Sequence, residues 1–307
     1  MQEKINKLNI QFIGIGAGRS GSTWISECLR EHPEVNFSIK KETNFFSTLH
    51  CVNFKIWDKP LNPNKIKKDI TEYYKEFDLE KKNSLKKGEF TPNYLYDTEA
   101  AQLIKKHFPN TKIIVCLRNP AEIMYSTFWY AKSTHLTNNR LTTFKEFIKN
   151  EKYHEIGYLY KYLKLYYDLF PKENIHLILF DDIKKRPKDL IKNVYSYLNI
   201  DNSFTPSCLN KKINSATKPK LSIITSLVKS TYKIASTTKL IFLYKALAKN
   251  YLIIKIYNKL TKTKFSYPPM SKEERRQTIK IFVDDIKNLE KLTNLNLSNW
   301  IKENETN

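Results

Sequence analysis

The strongest pattern along the chain is a set of short, continuous apolar runs separated by amphipathic stretches. IQFIGIGA at 10–17, KIIVCL at Lys112–Leu117 and IHLILF at 175–180 are apolar on both faces, as strands buried in a parallel sheet must be. Shorter extended pieces are predicted at Val35–Ile39 and at Gly88–Thr91, the latter stopped by Pro92. Trp24, Ile25, Cys28 and Leu29 recur at helical spacing over 22–31, and His32-Pro33 closes that helix. Further helices are predicted at about 98–107, from Pro120 to about Lys132, at about 143–150 and 157–169, from Pro187 to Leu198, and over most of Ser271–Trp300. Residues 60–87 are polar and weakly helical, and 221–260 predict two or three basic helices. Strands alternating with helices give an α/β fold: one domain over 1–307 with a central, mostly parallel sheet flanked by helices. Residues 221–265 form a basic helical segment within it.

Charge sharpens this picture. Fifty-three Lys and Arg against 31 Asp and Glu give +22, which implies an anionic partner, although joint enrichment in Lys, Asn and Ile points to compositional drift as well. The excess is segregated, with 14 lysines and no acidic residue between Asp201 and Glu273. Three readings of that stretch stand together: apolar helices whose lysines (Lys229, Lys233, Lys239, Lys245) meet an anionic membrane, a groove for a polyanionic acceptor, or a solvated face. No nucleic-acid recognition motif accompanies the charge, so no nucleic-acid partner is expected. No apolar run reaches 18 residues and residues 1–9 hold no apolar stretch, so neither a spanning helix nor a signal peptide is expected. Cys28, Cys51, Cys116 and Cys208 are spread too widely for a disulfide framework or a zinc site. The expected setting is cytoplasmic, with peripheral contact at the inner membrane surface if the lysine-rich segment 211–264 binds lipid.

The candidate chemistry begins where the first strand meets the first helix. A strand, a glycine-rich turn and a helix present backbone N–H groups and a helix N-terminus to an anion. Gly16 to Gly21 has the G-x-x-x-x-G spacing of a phosphate-binding loop, but Ser22 stands where an NTPase needs Lys. The best strand, Lys112–Leu117, runs into Arg118 instead of the Asp that would hold Mg²⁺. Both departures point to an anion other than a metal-bound triphosphate.

Gly18-Arg19-Ser20-Gly21-Ser22-Thr23-Trp24 resembles the 5′-phosphosulfate loop of sulfotransferases that use 3′-phosphoadenosine 5′-phosphosulfate (PAPS). That family usually has Lys-x-Gly-Thr-Thr, with Arg in some branches, including tyrosylprotein sulfotransferases. Arg118-Asn119-Pro120, with Ser126 eight residues after the arginine, is similar to the family's 3′-phosphate block. Glu42-Thr43-Asn44-Phe45-Phe46 resembles the E-x-x-F-F of glycosaminoglycan and related bacterial members, and Gly88–Leu95 resembles their acceptor-cleft segment. The tail, from Tyr267-Pro268-Pro269-Met270 to Trp300, resembles the C-terminal helix of bacterial members. The likeness covers Ile10 to Trp300 apart from weak stretches at 50–85 and 221–260.

The resemblance implies a P-loop-like sulfotransferase fold and a PAPS-dependent enzyme, leaving adenosine 3′,5′-bisphosphate (PAP) and needing no metal. It implies Glu42 as the general base and Arg19 as the stabiliser of the leaving group. Ser20, Gly21, Ser22 and Thr23 would bind the 5′-phosphate, and Arg118 with Ser126 the 3′-phosphate. An arginine fork and a hydroxyl near a helix N-terminus suit that phosphate chemically. Trp24 reads either as a stack for adenine or as a core residue of the first helix. Tyr160 reads either as a cofactor contact or as part of the aromatic face formed with Tyr162 and Tyr166. Lys218 and Lys220 fall where the family returns a basic loop over the cofactor, and His135 lies in a polar stretch that would suit an acceptor cleft. The E-x-x-F-F and TPNY blocks imply a carbohydrate or glycolipid acceptor. The alternatives are a P-loop nucleotide kinase and a non-catalytic basic module that binds polyanions or membranes.

Overall fold

The computed structural model describes residues 9–48, 69–78, 80–81, 85–133, 143–210, 217–219, 262–264 and 267–302. Five strands form one sheet: β1 (Phe12–Gly16), β2 (Val35–Phe37), β3 (Lys86–Phe90), β4 (Lys112–Leu117) and β5 (Ile175–Leu179). Every pairing is parallel, in the order β2-β3-β1-β4-β5. This matches the expected α/β class, and the β1 and β4 runs are buried on both faces as their apolar character requires.

The helices alternate between the two faces. On one side, α1 (Ser22–Glu31) buries Trp24, Ile25, Cys28 and Leu29 against the sheet. Leu190, Val194 and Leu198 of α8 (Pro187–Leu198) share that layer. On the other side lie α3 (Thr98–His107), α4 (Pro120–Ser133) and α6 (Leu159–Leu169), with the 22-residue α9 (Lys272–Thr293) packed across them. The remaining helices are short: α2 (Ile70–Tyr74), α5 (Phe144–Lys149), α7 (Phe180–Lys185) and α10 (Ser298–Lys302). The backbones of β6 (Thr217–Pro219) and β7 (Lys262–Lys264) pair antiparallel apart from the main sheet.

This winding positions the site. After β1 the chain moves outward to β2 and β3, then crosses back to β4 on the opposite side of β1. The crevice beyond the carboxyl ends of β1 and β4 is therefore the reversal point at which α/β sheets bind ligands. Ala17 N–H donates to Cys116 O at 2.7 Å, so the turn after β1 is tied to β4 where the crevice opens.

Several boundaries differ from the sequence reading. β3 begins at Lys86, two residues earlier than expected, and Lys87 within it is buried. α6 begins at Leu159, two residues later than expected, after a 3₁₀ helix over Glu151–Gly157 that was not expected. α7 was not expected from FDDIKK; Asp181 and Asp182 in its first turn and Lys184 and Lys185 in its last suit the helix dipole. The predicted helices over 221–260, with Lys220, His135 and Cys51, lie outside the described residues, and of Lys218 only the backbone is described. Among the described residues no helix is long and apolar enough to cross a membrane.

Candidate active site

The loop between β1 and α1 is shaped by its glycines and by one unusual residue. Gly21, the residue before α1, has φ 92°, and a Cβ there would stand 2.3 Å from Ile183 Cδ1. Arg19 has φ 63°, a backbone conformation that non-glycine residues adopt rarely and mostly at turns and functional sites. α1 carries no side-chain cap and no acidic residue in its first turn, so its positive end faces the loop uncompensated. Ser20 is fully buried, with its hydroxyl turned back on Gly18 O at 3.3 Å, and Ser22 is buried at the start of the helix.

Arg19 reaches across the crevice. Its Nε donates to Ser126 Oγ at 3.1 Å, and its guanidinium lies 4.8 Å from the Tyr130 ring centroid. Arg118, at the end of β4, donates from Nη1 to Arg19 O at 2.8 Å and from Nε to Glu122 Oε2 at 2.9 Å. Its guanidinium packs 4.2 Å above Phe180, a contact that fixes the plane of the fork. Three residues assigned to two different phosphates thus form one continuous cluster.

The charges in that cluster are unequal. Arg118 is balanced by Glu122, whereas Arg19 has no carboxylate partner among the described residues. Burial pulls the Arg19 guanidinium below its ordinary value, Tyr267 and Tyr130 oppose that, and the Arg118 charge adds to it. An arginine does not escape such a position by losing its proton. A partly buried cation with no carboxylate partner among the described residues, beside a second cation and an uncapped helix end, fits a multiply charged phosphate ester. That is the fit required of PAPS.

Glu42 lies on the turn after β2. Its Oε1 accepts from Lys41 Nζ at 2.8 Å, and the same ammonium donates to Thr23 Oγ1 at 2.8 Å. Lys40 pairs with Glu76, and Lys41 is the lysine that faces Glu42. The turn is held from below by Glu89, a wholly buried carboxyl in the middle of β3. Glu89 Oε2 accepts from Thr43 N at 3.3 Å and Thr91 Oγ1 at 2.6 Å, and Oε1 from Thr43 Oγ1 at 2.8 Å, Tyr94 OH at 2.9 Å and Tyr73 OH at 3.0 Å. Three of those hydroxyls in turn accept backbone N–H groups at 3.3 Å: Thr91 from Asn44, Thr43 from Phe45, and Tyr94 from Phe46. Four successive amides, 43 to 46, therefore end directly or through one hydroxyl on a single carboxyl. Farther along, Asp97 accepts from Thr48 N and from the hydroxyls of Ser47 and Thr48. The turn that carries Glu42 takes its shape from β3 and the residues that follow it.

Two expected contacts are placed elsewhere. Trp24 is 6% exposed, and its indole N–H donates to Leu209 O at 3.3 Å, so it joins α1 to the 205–210 segment and offers little free face. Tyr160 is half-buried on α6, where its backbone N–H donates to Asp285 of α9 at 2.9 Å. No hydrogen bond or ring contact among the described residues joins Tyr160 to the arginine cluster. Glu89, Tyr130 and Phe180 were not singled out from the sequence. A glutamate inside an otherwise buried strand was the available signal for the first of them. Cys28 and Cys208, 180 residues apart in the chain, bring their Sγ atoms to 3.4 Å in the α1 layer, both as thiols.

A family model described as the sulfotransferase domain matches residues 10–265. The crystal structure of a sulfotransferase from Alicyclobacillus acidocaldarius superposes with a TM-score of 0.63 at 20% identity, covering 95% of this chain and 99% of that one, a likeness of fold. A mouse sulfotransferase, SULT7A1, complexed with PAP, gives a TM-score of 0.42 at 15% identity over 65% of this chain and 63% of that one. The membrane-associated sulfotransferase kil1 of Dictyostelium discoideum is 27% identical over 121 residues, 39% of this chain and 22% of that protein's length. With the family model spanning both the anion loop and the arginine block it faces, the chain belongs to the sulfotransferase domain family.

Proposed function

We propose that this chain is a PAPS-dependent sulfotransferase acting on a hydroxyl of a carbohydrate or glycolipid acceptor. The observation that carries the reading is the junction of Arg19, Ser126 and Arg118 across the β1–β4 crevice, with Arg19 partly buried and lacking a carboxylate partner among the described residues. An NTPase loop would offer a lysine at Ser22 and a carboxylate after β4, and this chain has neither there.

When bound, PAPS supplies the sulfuryl group: the bond from sulfur to the bridging phosphate oxygen breaks as the acceptor oxygen bonds to sulfur, and PAP departs with the electron pair. Glu42 takes the acceptor's proton as that bond forms. Ser126 and Arg118 hold the 3′-phosphate, and the first turn of α1, through Ser22 and Thr23, holds the 5′-phosphate. Arg19 keeps Nε on Ser126 and turns its terminal guanidinium nitrogens to the anion, stabilising charge on the departing phosphate without giving up a proton. The acceptor class rests on the resemblance of the Glu42–Phe46 and Gly88–Leu95 segments to those of carbohydrate-modifying members. A peripheral contact of the lysine-rich 211–264 segment with anionic lipid, in a cytoplasmic setting, belongs to the same proposal. The name of the Dictyostelium relative and the charge of the segment support it.

Thermal stabilisation tests the cofactor. A ligand that binds only the folded state raises the melting temperature with its affinity. PAP should stabilise the protein, adenosine 5′-phosphate far less, and Arg118→Ala should remove most of the difference. Stabilisation by Mg²⁺–ATP and none by PAP would refute the reading in favour of a kinase.

A further inference from the structure

The usual loop lysine of this family is an arginine here, and its Nε is committed to Ser126 on the far wall of the crevice. The side of the loop that faces Glu42 is served by a different cation. Lys41 Nζ lies 2.8 Å from Thr23 Oγ1, on the first turn of the anion-binding helix, and 2.8 Å from Glu42 Oε1. One ammonium thus spans the gap between the hydroxyl assigned to the 5′-phosphate and the carboxylate assigned to the acceptor. The group in transit between those two partners must pass beside it. Two residues after Lys41 the turn is tied to the Glu89 hub through the Thr43 amide and hydroxyl.

We propose that Lys41 is a catalytic residue that touches the sulfuryl group itself, supplying at its oxygens the positive charge that Arg19 places elsewhere. The inference rests on the PAPS reading above. Lys41 stays protonated throughout. In the ligand-free protein it spends its donors on Thr23 and Glu42; with the donor bound, one of them turns to a sulfuryl oxygen, and Glu42 is released to accept the proton of the acceptor. A compact ammonium with three rotatable donors can redistribute its bonds in this way, which a planar guanidinium held on Ser126 cannot.

The proposal separates two ligands that differ only by the sulfuryl group. Calorimetric titration of PAPS and of PAP into the wild type, Lys41→Ala and Lys41→Arg reads it without any acceptor. Lys41→Ala should keep its affinity for PAP within about twofold and lose about tenfold for PAPS, the effect of one charge-assisted hydrogen bond. Lys41→Arg should recover part of that loss. The side chain is partly exposed, so the alanine variant should fold, and its ligand-free melting curve checks this. Equal losses for both ligands would overturn the proposal and leave Lys41 as a brace for Thr23. No loss for either would overturn it by removing the contact. A wild type that binds neither ligand would refute the cofactor reading, and Lys41 with it, an outcome distinct from the other two.

Discussion

Glu89→Gln removes one of the two oxygens from which the 43–46 turn is hung. The amide nitrogen cannot occupy the Oε2 position, because there it would meet Thr43 N–H, a donor that cannot reverse. Placed at Oε1 it has two N–H groups for three hydroxyls, each of which keeps a lone pair free to accept. At least one of the five bonds to Glu89 is therefore lost. At about 1–1.5 kcal/mol for a buried bond the cost is at least about 1–1.5 kcal/mol. For a chain of this length that lowers the melting temperature by at least about 2–3 °C. Burial pushes the Glu89 carboxyl up, against the hydrogen bonds from Thr91, Thr43, Tyr94 and Tyr73 that pull it down. With its folded pKa above the unfolded value of about 4.3, the linked stability is fully present below that value and is lost as pH rises through the folded one. The wild-type curve of melting temperature against pH should therefore fall, relative to Glu89→Gln, across that window. Scanning calorimetry over about pH 4–8 measures both quantities. A variant that melts within about 1 °C of wild type, with a parallel pH curve, would refute the claim that the turn depends on this carboxyl.

Three further outcomes are expected. Burial works against the ionised form of Glu122, yet Arg118, Lys184 and Arg275 together hold its carboxyl below the usual range; that stability is present above about pH 4.3 and lost as pH falls through the folded value, so Glu122→Gln should flatten the acid limb of the melting curve. Gly21→Ala forces a Cβ into left-handed backbone at a cost of about 1–2 kcal/mol, and pairing it with Ile183→Ala should not restore the melting temperature, because the backbone and not the neighbour sets the cost. Trp24→Phe loses the bond to Leu209 O, worth about 1 kcal/mol, and limited proteolysis should cut near residue 209 sooner than in wild type.

The parts of the fold legible in the sequence are those with a continuous apolar run or a helical apolar spacing. β1, β4 and β5 announce themselves by continuous apolar runs, and α1 and α8 by their spacing. β3 was read short because Lys86 and Lys87 look like surface residues, although the sheet buries the second of them. The phosphate loop and the Arg118–Ser126 block were legible because each is contiguous in the chain. Their joining was not, because it depends on the left-handed backbone at Arg19 that turns the side chain toward Ser126, 107 residues away. The Glu89 hub was hidden for a similar reason. Thr43 reaches it from a turn 46 residues earlier in the chain and Tyr73 from α2, 16 residues earlier, a convergence that no local spacing encodes.

The two-layered core gives the arginine cluster a mechanical meaning. Arg19 hangs from the turn into α1, whose apolar side chains fill the layer shared with α8, while Arg118 and Ser126 hang from β4 and α4, and α4 packs into the layer shared with α6 and α9. The hydrogen bonds from Arg19 to Ser126 and from Arg118 to Arg19 O cross from one layer to the other over the rim of the sheet. On the reading proposed above, a nucleotide whose 3′-phosphate meets Arg118 and whose 5′-phosphate meets Arg19 would act as a rivet, adding to those bonds between the two layers. Amide hydrogens of α1 and α4, on opposite slabs, should therefore slow their exchange in concert when the nucleotide arrives, and loosen in concert when it leaves.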